Sequence, residues 1–159
     1  MTANVFFVDD EKHLRTACSQ SLELAGFEVN NFASADGVLD GIDTDWAGVL
    51  VSDIRMAGTD GLALMAGALK IDPDLPVILI TGHGDVPMAV KAMRDGAYDF
   101  IEKPFAPEVL VDAVRRGLDK RSLILENRHL REALTKGTRL ENRLVGQSLG
   151  AIKLREKIT

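Results

Sequence analysis

The feature that most narrows what this chain can fold into is a set of short apolar runs that lack a polar face. Val5 to Val8, Gly48 to Ser52, Val77 to Thr81 and Tyr98 to Glu102 are apolar nearly throughout rather than alternating. Strands of that kind are covered on both sides, the condition of a parallel sheet between two helical layers. A further run, Glu28 to Phe32, is more polar and reads as an edge strand. Between the runs lie segments of helical period: Lys12 to Ala25, Ala35 to Ile42, Leu62 to Lys70, Pro87 to Arg94, and Pro107 onward. Gly26 is placed as a C-cap, Ser34 as an N-cap, and Pro87 and Pro107 in first turns, where a missing N–H costs nothing. Five βα units of about 20 to 25 residues predict right-handed crossovers and a doubly wound sheet. The ligand site of such a sheet lies outside the C-terminal strand ends, where the strand order reverses.

Residues that carry chemistry collect at that edge. Asp9 and Asp10 follow the first run, and Asp53 follows the third. Carboxylates crowded at partly buried separations of about 4 to 6 Å repel by several kcal/mol, so the group calls for a cation. Thr81 ends the fourth run, and Lys103 follows the fifth, just before Pro104. A hydroxyl and an ammonium beside three carboxylates can hold an anion next to a metal. Mg²⁺ bound through a couple of carboxylates, waters and a backbone carbonyl is the economical assembly, because it keeps octahedral oxygen geometry and commonly shares a phosphate. Phosphoryl transfer onto a carboxylate then becomes possible, with Lys103 and Thr81 binding the transferred oxygens. Taken singly, acids at strand ends cap helices, Thr favours strands and a Lys before Pro is an ordinary loop. Four strands delivering suitable groups to one edge exceed those explanations.

Composition bounds the alternatives. A chain of 159 residues, 46% hydrophobic and 27% charged, suits one compact domain with an appendage. The single cysteine, Cys18, shares an apolar stripe with Leu14, Leu22 and Ala25 and is expected as a core filler. No intrachain disulfide and no zinc spacing exist, which fits a reducing cytoplasm. The four apolar residues near the N-terminus are too few for a signal peptide or a membrane span.

Charge divides the chain. Residues 1 to 114 hold 19 acids against 7 Lys or Arg, while 115 to 159 hold 5 against 12. The basic part has no interleaved aromatics, so it is expected to be a solvated helix face rather than a nucleic-acid surface. Beyond Leu118 one polar helix is expected to about Leu134, with Leu123, Asn127, Leu130 and Leu134 in the 4-3-4 spacing of a coiled-coil seam. A helix so polar on its other faces buries little alone, so pairing with a second copy is expected. After Gly137, Leu144 to Ser148 read as a turn, and Ile152, Leu154 and Ile158 as the first helix of another domain that is absent, making the chain a fragment.

Val8-Asp9-Asp10-Glu11, Ser52-Asp53-Ile54-Arg55-Met56, Thr81-Gly82-His83-Gly84-Asp85 and Phe100-Ile101-Glu102-Lys103-Pro104-Phe105 together resemble the motif set of the receiver domain of two-component response regulators. The resemblance implies a five-stranded flavodoxin-like sheet of order 2-1-3-4-5 followed by a coiled-coil linker helix. It further implies that Asp53 is the phospho-acceptor, that Asp9, Asp10, Asp53 and the Arg55 carbonyl hold Mg²⁺, that Lys103 bridges to the phosphoryl group, and that Thr81 is the switch hydroxyl. The Lys103-Pro104 bond is expected to be cis. The family's aromatic switch falls on Phe100, which, unlike Tyr, signals by packing alone. Arg55 and His83 occupy positions that tune phosphate lifetime, and Ala57 stands where relatives often have Pro.

Gly82 to Val90 is similar both to sigma-54 activators of the NtrC type and to short two-domain regulators, and Leu144 to Ser148 resembles the entry to the AAA+ ATPase domain of the former. The expected domains are a receiver over 1–118, a linker helix over 119–142 and the start of a truncated AAA+ domain over 143–159. The implied partners are a sensor histidine kinase and a second copy, the latter meeting the face of the fourth helix, fifth strand and fifth helix through Met88 and Ala92. No membrane contact and no direct DNA contact are expected, and the domain is regulatory, catalysing only its own phosphorylation and dephosphorylation. Against a haloacid dehalogenase-type phosphatase stands the lack of a second acid in Asp53-Ile54-Arg55. Against a flavodoxin-like cofactor binder stand the acids after the first strand, where a bound phosphate would need glycines and hydroxyls.

Overall fold

A computed structural model describes residues 4–56, 58, 60–82 and 84–144, with side chains up to residue 135. The expectations for Ala57, His83 and the segment from Val145 onward lie outside the described residues. The chain divides into two compact units, Met1–Ser122 and Leu123–Thr159.

In the first unit five strands, β1 (Val5–Val8), β2 (Val29–Phe32), β3 (Val49–Asp53), β4 (Val77–Thr81) and β5 (Asp99–Glu102), form one parallel sheet of order β2-β1-β3-β4-β5. The helices are α1 (Lys12–Leu24), α2 (Gly61–Ile71), α3 (Val86–Asp95) and α4 (Pro107–Leu144). β1, β3 and β4 are buried at every position, and their side chains alternate between two cores. Phe6, Val8, Leu50 and Leu79 pack with Leu64, Ala68, Ala89 and Ala92 on one face. Phe7, Val51, Ile78 and Ile80 pack with Cys18, Leu22, Leu110 and Val114 on the other. The continuous apolar runs follow from this sandwiching, since a polar residue on either face would lose its water.

Register then fixes the site. Val8 pairs with Ser52 and Asp53 with Ile80, so Asp9 emerges beside Asp53 at the end of its neighbour. Thr81 pairs with Glu102, which brings Lys103 to the same edge one residue later. Gly61 opens α2 hard against the Asp53 carbonyl, where a Cβ would clash, and its N–H donates to Ile54 O at 2.8 Å. The Asp60 carboxylate caps that helix by accepting from the Ala63 N–H at 2.9 Å, a contact that contributes about 1 kcal/mol.

Three expectations are corrected. Ala35 to Ile42 is not an α-helix but a turn followed by a short 3₁₀ segment, Leu39–Gly41. Ser34 Oγ accepts the Asp36 N–H at 3.2 Å and Gly37 takes φ +79°, so local turn chemistry displaces the helix. The fourth and fifth expected helices are therefore α3 and α4. On α3, Ala92 is buried and Met88 packs against the same core, so the expected partner face is turned inward, while Val90 and Met93 are exposed. The small residues Ala89 and Ala92 sit three apart and let the helix approach the sheet closely. Finally, α4 extends beyond the expected end near Leu134, through Gly137 to Leu144, since a single interior glycine costs only about 1 kcal/mol. In the second unit Leu123, Leu130 and Leu134 are exposed, as is Asn127. No helix among the described residues is long and apolar enough to cross a membrane.

One buried ion pair closes the end of the domain opposite the acids. The Arg121 guanidinium has no exposed surface and donates to Asp72 Oδ2 at 2.8 Å, to Trp46 O at 2.8 Å and to Thr44 O at 3.3 Å. Asp72 Oδ1 also accepts the Asp74 N–H at 3.0 Å. A buried ion pair is costly to halve, so Arg121→Ala is expected to lower unfolding free energy in urea by about 3 to 5 kcal/mol. Arg121→Met combined with Asp72→Leu should restore most of that, and a single-variant loss below about 1 kcal/mol would contradict the assignment.

Candidate functional site

The strand ends bring Asp9, Asp53, Thr81 and Lys103 together. Asp53, nearly buried, accepts Lys103 Nζ at Oδ2 over 2.7 Å and the Arg55 N–H at Oδ1 over 3.2 Å. Ser52 Oγ donates to the Asp53 carbonyl at 2.9 Å, which fixes the strand end from behind. Asp9 is fully buried; its Oδ1 accepts the Glu11 N–H at 2.8 Å, and its carbonyl accepts Arg15 Nη1 at 2.8 Å. Its Oδ2 has no hydrogen-bond partner.

The charges do not balance. Two carboxyl groups face one ammonium, and burial pushes the Asp9 carboxyl up to about 6. The Glu11 N–H and the Lys103 charge pull it down, while Asp53 pushes it further up. Burial alone would lower the Lys103 ammonium, but its hydrogen bond to Asp53 and the negative charges of Asp53, Asp9 and Glu11 outweigh that and raise it. Lys103 therefore stays charged and still leaves the edge short of positive charge.

That shortage fits a divalent cation. Among the described residues no set of three His, Cys, Asp or Glu side chains forms a ready metal cage. Magnesium does not need one, because it keeps several waters and takes only one or two carboxylates. The orphaned Asp9 Oδ2 and the neighbouring Asp53 carboxylate are hard oxygens that could hold such an ion. Asp10 is exposed, one residue beyond Asp9 at the same edge.

The remaining expected residues lie around this centre. Thr81 is buried, and its Oγ1 donates to Gly82 O at a long 3.2 Å. Phe100 is half-buried against the core beneath α2 and α3. The Lys103-Pro104 bond is cis, and the Lys103 N–H donates to Thr81 O at 2.9 Å. A cavity of about 300 Å³ adjoins Lys103, lined by apolar groups of Leu14, Cys18, Pro104 and Phe105. Burial pushes the Cys18 thiol there up to about 11, with the Asp9 charge adding to it, so it behaves as filler rather than nucleophile.

One participant escaped the sequence reading. Asp85 holds Arg55 through both carboxylate oxygens, each 2.8 Å from Nε. The hydrogen bond and charge of Arg55 keep the Asp85 carboxyl below its ordinary value although burial pushes it up. An ion pair across two loops, between residues 30 apart in sequence, leaves no local signal.

Comparison with known proteins agrees with this fold. The family model described as the response regulator receiver domain matches residues 5–115. A C4-dicarboxylate transport transcriptional regulatory protein, DctD, of Rhizobium meliloti (strain 1021) is 59% identical over 130 residues, covering 82% of this chain and 28% of that protein. The protein of the same name from Pseudomonas aeruginosa is 53% identical over 154 residues, covering 97% of this chain and 33% of that protein. The chain thus spans a third or less of the length of these relatives. The crystal structure of the receiver domain of NtrX from Brucella abortus superposes with a TM-score of 0.67 at 39% identity, covering 72% of this chain and 98% of that one.

Asp9 makes the edge sensitive to pH. Its folded value of about 6 stands above the ordinary 3.8, so its contribution to stability is complete below 3.8 and is lost as pH rises through about 6. Metal-free protein should accordingly lose about 1.4 kcal/mol of unfolding free energy from this group between pH 5 and pH 7. Asp9→Asn should remove that component. A pH slope in urea that survives the substitution unchanged would count against the assignment.

Proposed function

Because this chain belongs to the response regulator receiver domain family, we propose that Asp53 accepts a phosphoryl group from a sensor histidine kinase and that the modification controls a downstream domain. The observation that carries the reading is the Lys103 Nζ to Asp53 Oδ2 contact at 2.7 Å beside the unpartnered Asp9 Oδ2. That arrangement leaves one acidic oxygen set for a cation and one lysine for an incoming anion.

Mg²⁺, held by Asp9, Asp53 and the Arg55 carbonyl with Asp10 close by, would neutralise charge on the transferring group. In the transfer, an Asp53 carboxylate oxygen forms a bond to phosphorus as the bond from phosphorus to the donor's imidazole nitrogen breaks, and the imidazole leaves with the electron pair. Lys103 moves from the carboxylate to the phosphoryl oxygens, which present more charge and better acceptors. The Thr81 hydroxyl gives up its long bond to Gly82 O for the same oxygens, and Phe100 turns into the space it leaves.

The altered surface is that of α3, β5 and α4, where Val90 and Met93 are exposed. Two copies meet there and along the seam of Leu123, Asn127, Leu130 and Leu134, burying apolar groups that a lone helix exposes. A change of packing between copies then passes along α4 to the AAA+ domain of a longer, sigma-54-activating protein. The two states need differ by only a few kcal/mol.

Addition of Mg²⁺ and beryllofluoride, a stand-in for the phosphoryl group, should shift the backbone amide resonances of Thr81, Phe100 and α3 in the parent protein. Asp53→Asn should abolish the response, and an equal response in that variant overturns the reading. Leu123→Ala with Leu130→Ala should shift the sedimentation equilibrium toward monomer, and unchanged assembly contradicts the seam.

A further inference from the structure

The Arg55–Asp85 pair has a geometry that neither the core nor the acidic centre requires. Arg55 is rooted one residue beyond Ile54, with its own N–H on Asp53 Oδ1 at 3.2 Å. Its guanidinium nevertheless reaches away to Asp85, with Nε 2.8 Å from both oxygens and Nη2 2.8 Å from Oδ1. Nη2 also lies 3.9 Å from Met88 Sδ, in the same first turn of α3. The pair thus ties the loop that follows Asp53 to the start of the helix on the exposed face.

Asp85 is also the N-cap residue of α3, yet its side chain caps nothing. Asp is among the best N-cap residues, and here its carboxylate is engaged elsewhere. Pro87 has no N–H, so the donor open to a side-chain cap is that of Met88, which now donates to the Asp85 carbonyl at 3.0 Å. Two arrangements of one carboxylate compete, an ion pair to Arg55 and a cap on Met88.

Resting on the phospho-acceptor reading of Asp53, we propose that Arg55 and Asp85 form a latch that the phosphoryl group opens. Arg55 leaves Asp85 for the phosphoryl oxygens, and the freed carboxylate turns to cap the Met88 N–H. Asp85 is a positioning residue in this scheme. The latch opens from the Arg55 side: that side chain is 70% exposed, so solvent screens its charge, while the Asp85 side chain is only 9% exposed and keeps its place at the start of α3. A phosphoryl group offers a guanidinium more charge and a second acceptor for bidentate binding. Asp60, whose charge also acts on Arg55, is itself engaged in capping α2 through the Ala63 N–H. The consequence is a re-formed first turn on the helix that exposes Val90 and Met93.

The test uses the full chain with Mg²⁺ and beryllofluoride, followed by amide resonances. Asp85→Asn removes the ion pair but keeps a good cap, so it should bind beryllofluoride roughly threefold or more tightly than the parent, the range of a surface ion pair. Arg55→Ala, which retains the Arg55 carbonyl, should bind more weakly, and Asp85→Asn added to it should bring no tightening. Hydrogen exchange at the Met88 amide should slow on activation in the parent and be slow beforehand in Arg55→Ala. Tightening by Asp85→Asn irrespective of Arg55, or none at all, overturns the latch, as does unchanged Met88 exchange. If the parent takes up no beryllofluoride, the phospho-acceptor reading falls too; uptake with additive effects sinks the latch alone.

Discussion

A shortage of positive charge at one edge of a parallel sheet is the constraint on which the rest of this molecule depends. Asp9 and Asp53 meet there because Val8 pairs with Ser52, and Lys103 is the ammonium within hydrogen-bond reach of Asp53. Burial keeps the imbalance from being dissolved in water, as the raised Asp9 carboxyl shows. The apolar runs that force the sheet to be covered on both sides also hold the three groups within a few ångströms. Fold and chemistry therefore share one cause: the same register that buries the core exposes the acids to one another.

The two ends of the domain treat charge in opposite ways. At the N-terminal end of the strands, Arg121 is sealed among Asp72 and two carbonyls with all its contacts made. Such a group has one good arrangement and resists change. At the C-terminal end, Asp9 keeps an unpartnered oxygen, Thr81 spends its hydroxyl on a long contact, and an exposed Arg55 holds Asp85. These are interactions that a better acceptor can displace, which is what a switch needs. A rigid base and a loosely bonded rim let a small chemical event move loops without unsettling the core.

How much of this could be read from the residues follows from the range of the interactions. β1 and β4 were legible to the residue, because nearly every position in them is buried and apolarity is a local property. Asp9, Asp53, Thr81 and Lys103 were legible because each directly ends or follows such a strand. Ala35 to Ile42 was misread because Ser34 and Gly37 form a turn whose pull exceeds a weak helical period. Ala92 was assigned to the wrong face because alanine suits either a surface or a close helix-to-sheet approach. Arg121 left no local trace at all: it sits in a basic stretch that looks solvated, and its partners lie 49, 75 and 77 residues away in sequence.

The measurement that bears most directly on the account is chemical trapping of the modified carboxylate. Protein treated with acetyl phosphate in Mg²⁺ would be reduced with borohydride, which converts an acyl phosphate to an alcohol, and the peptides would then be weighed. The account predicts reduction at Asp53 alone, dependent on Mg²⁺ and weakened when Lys103 is replaced. Reduction at Asp9 or Asp10, or at many carboxylates whether or not Mg²⁺ is present, would contradict it.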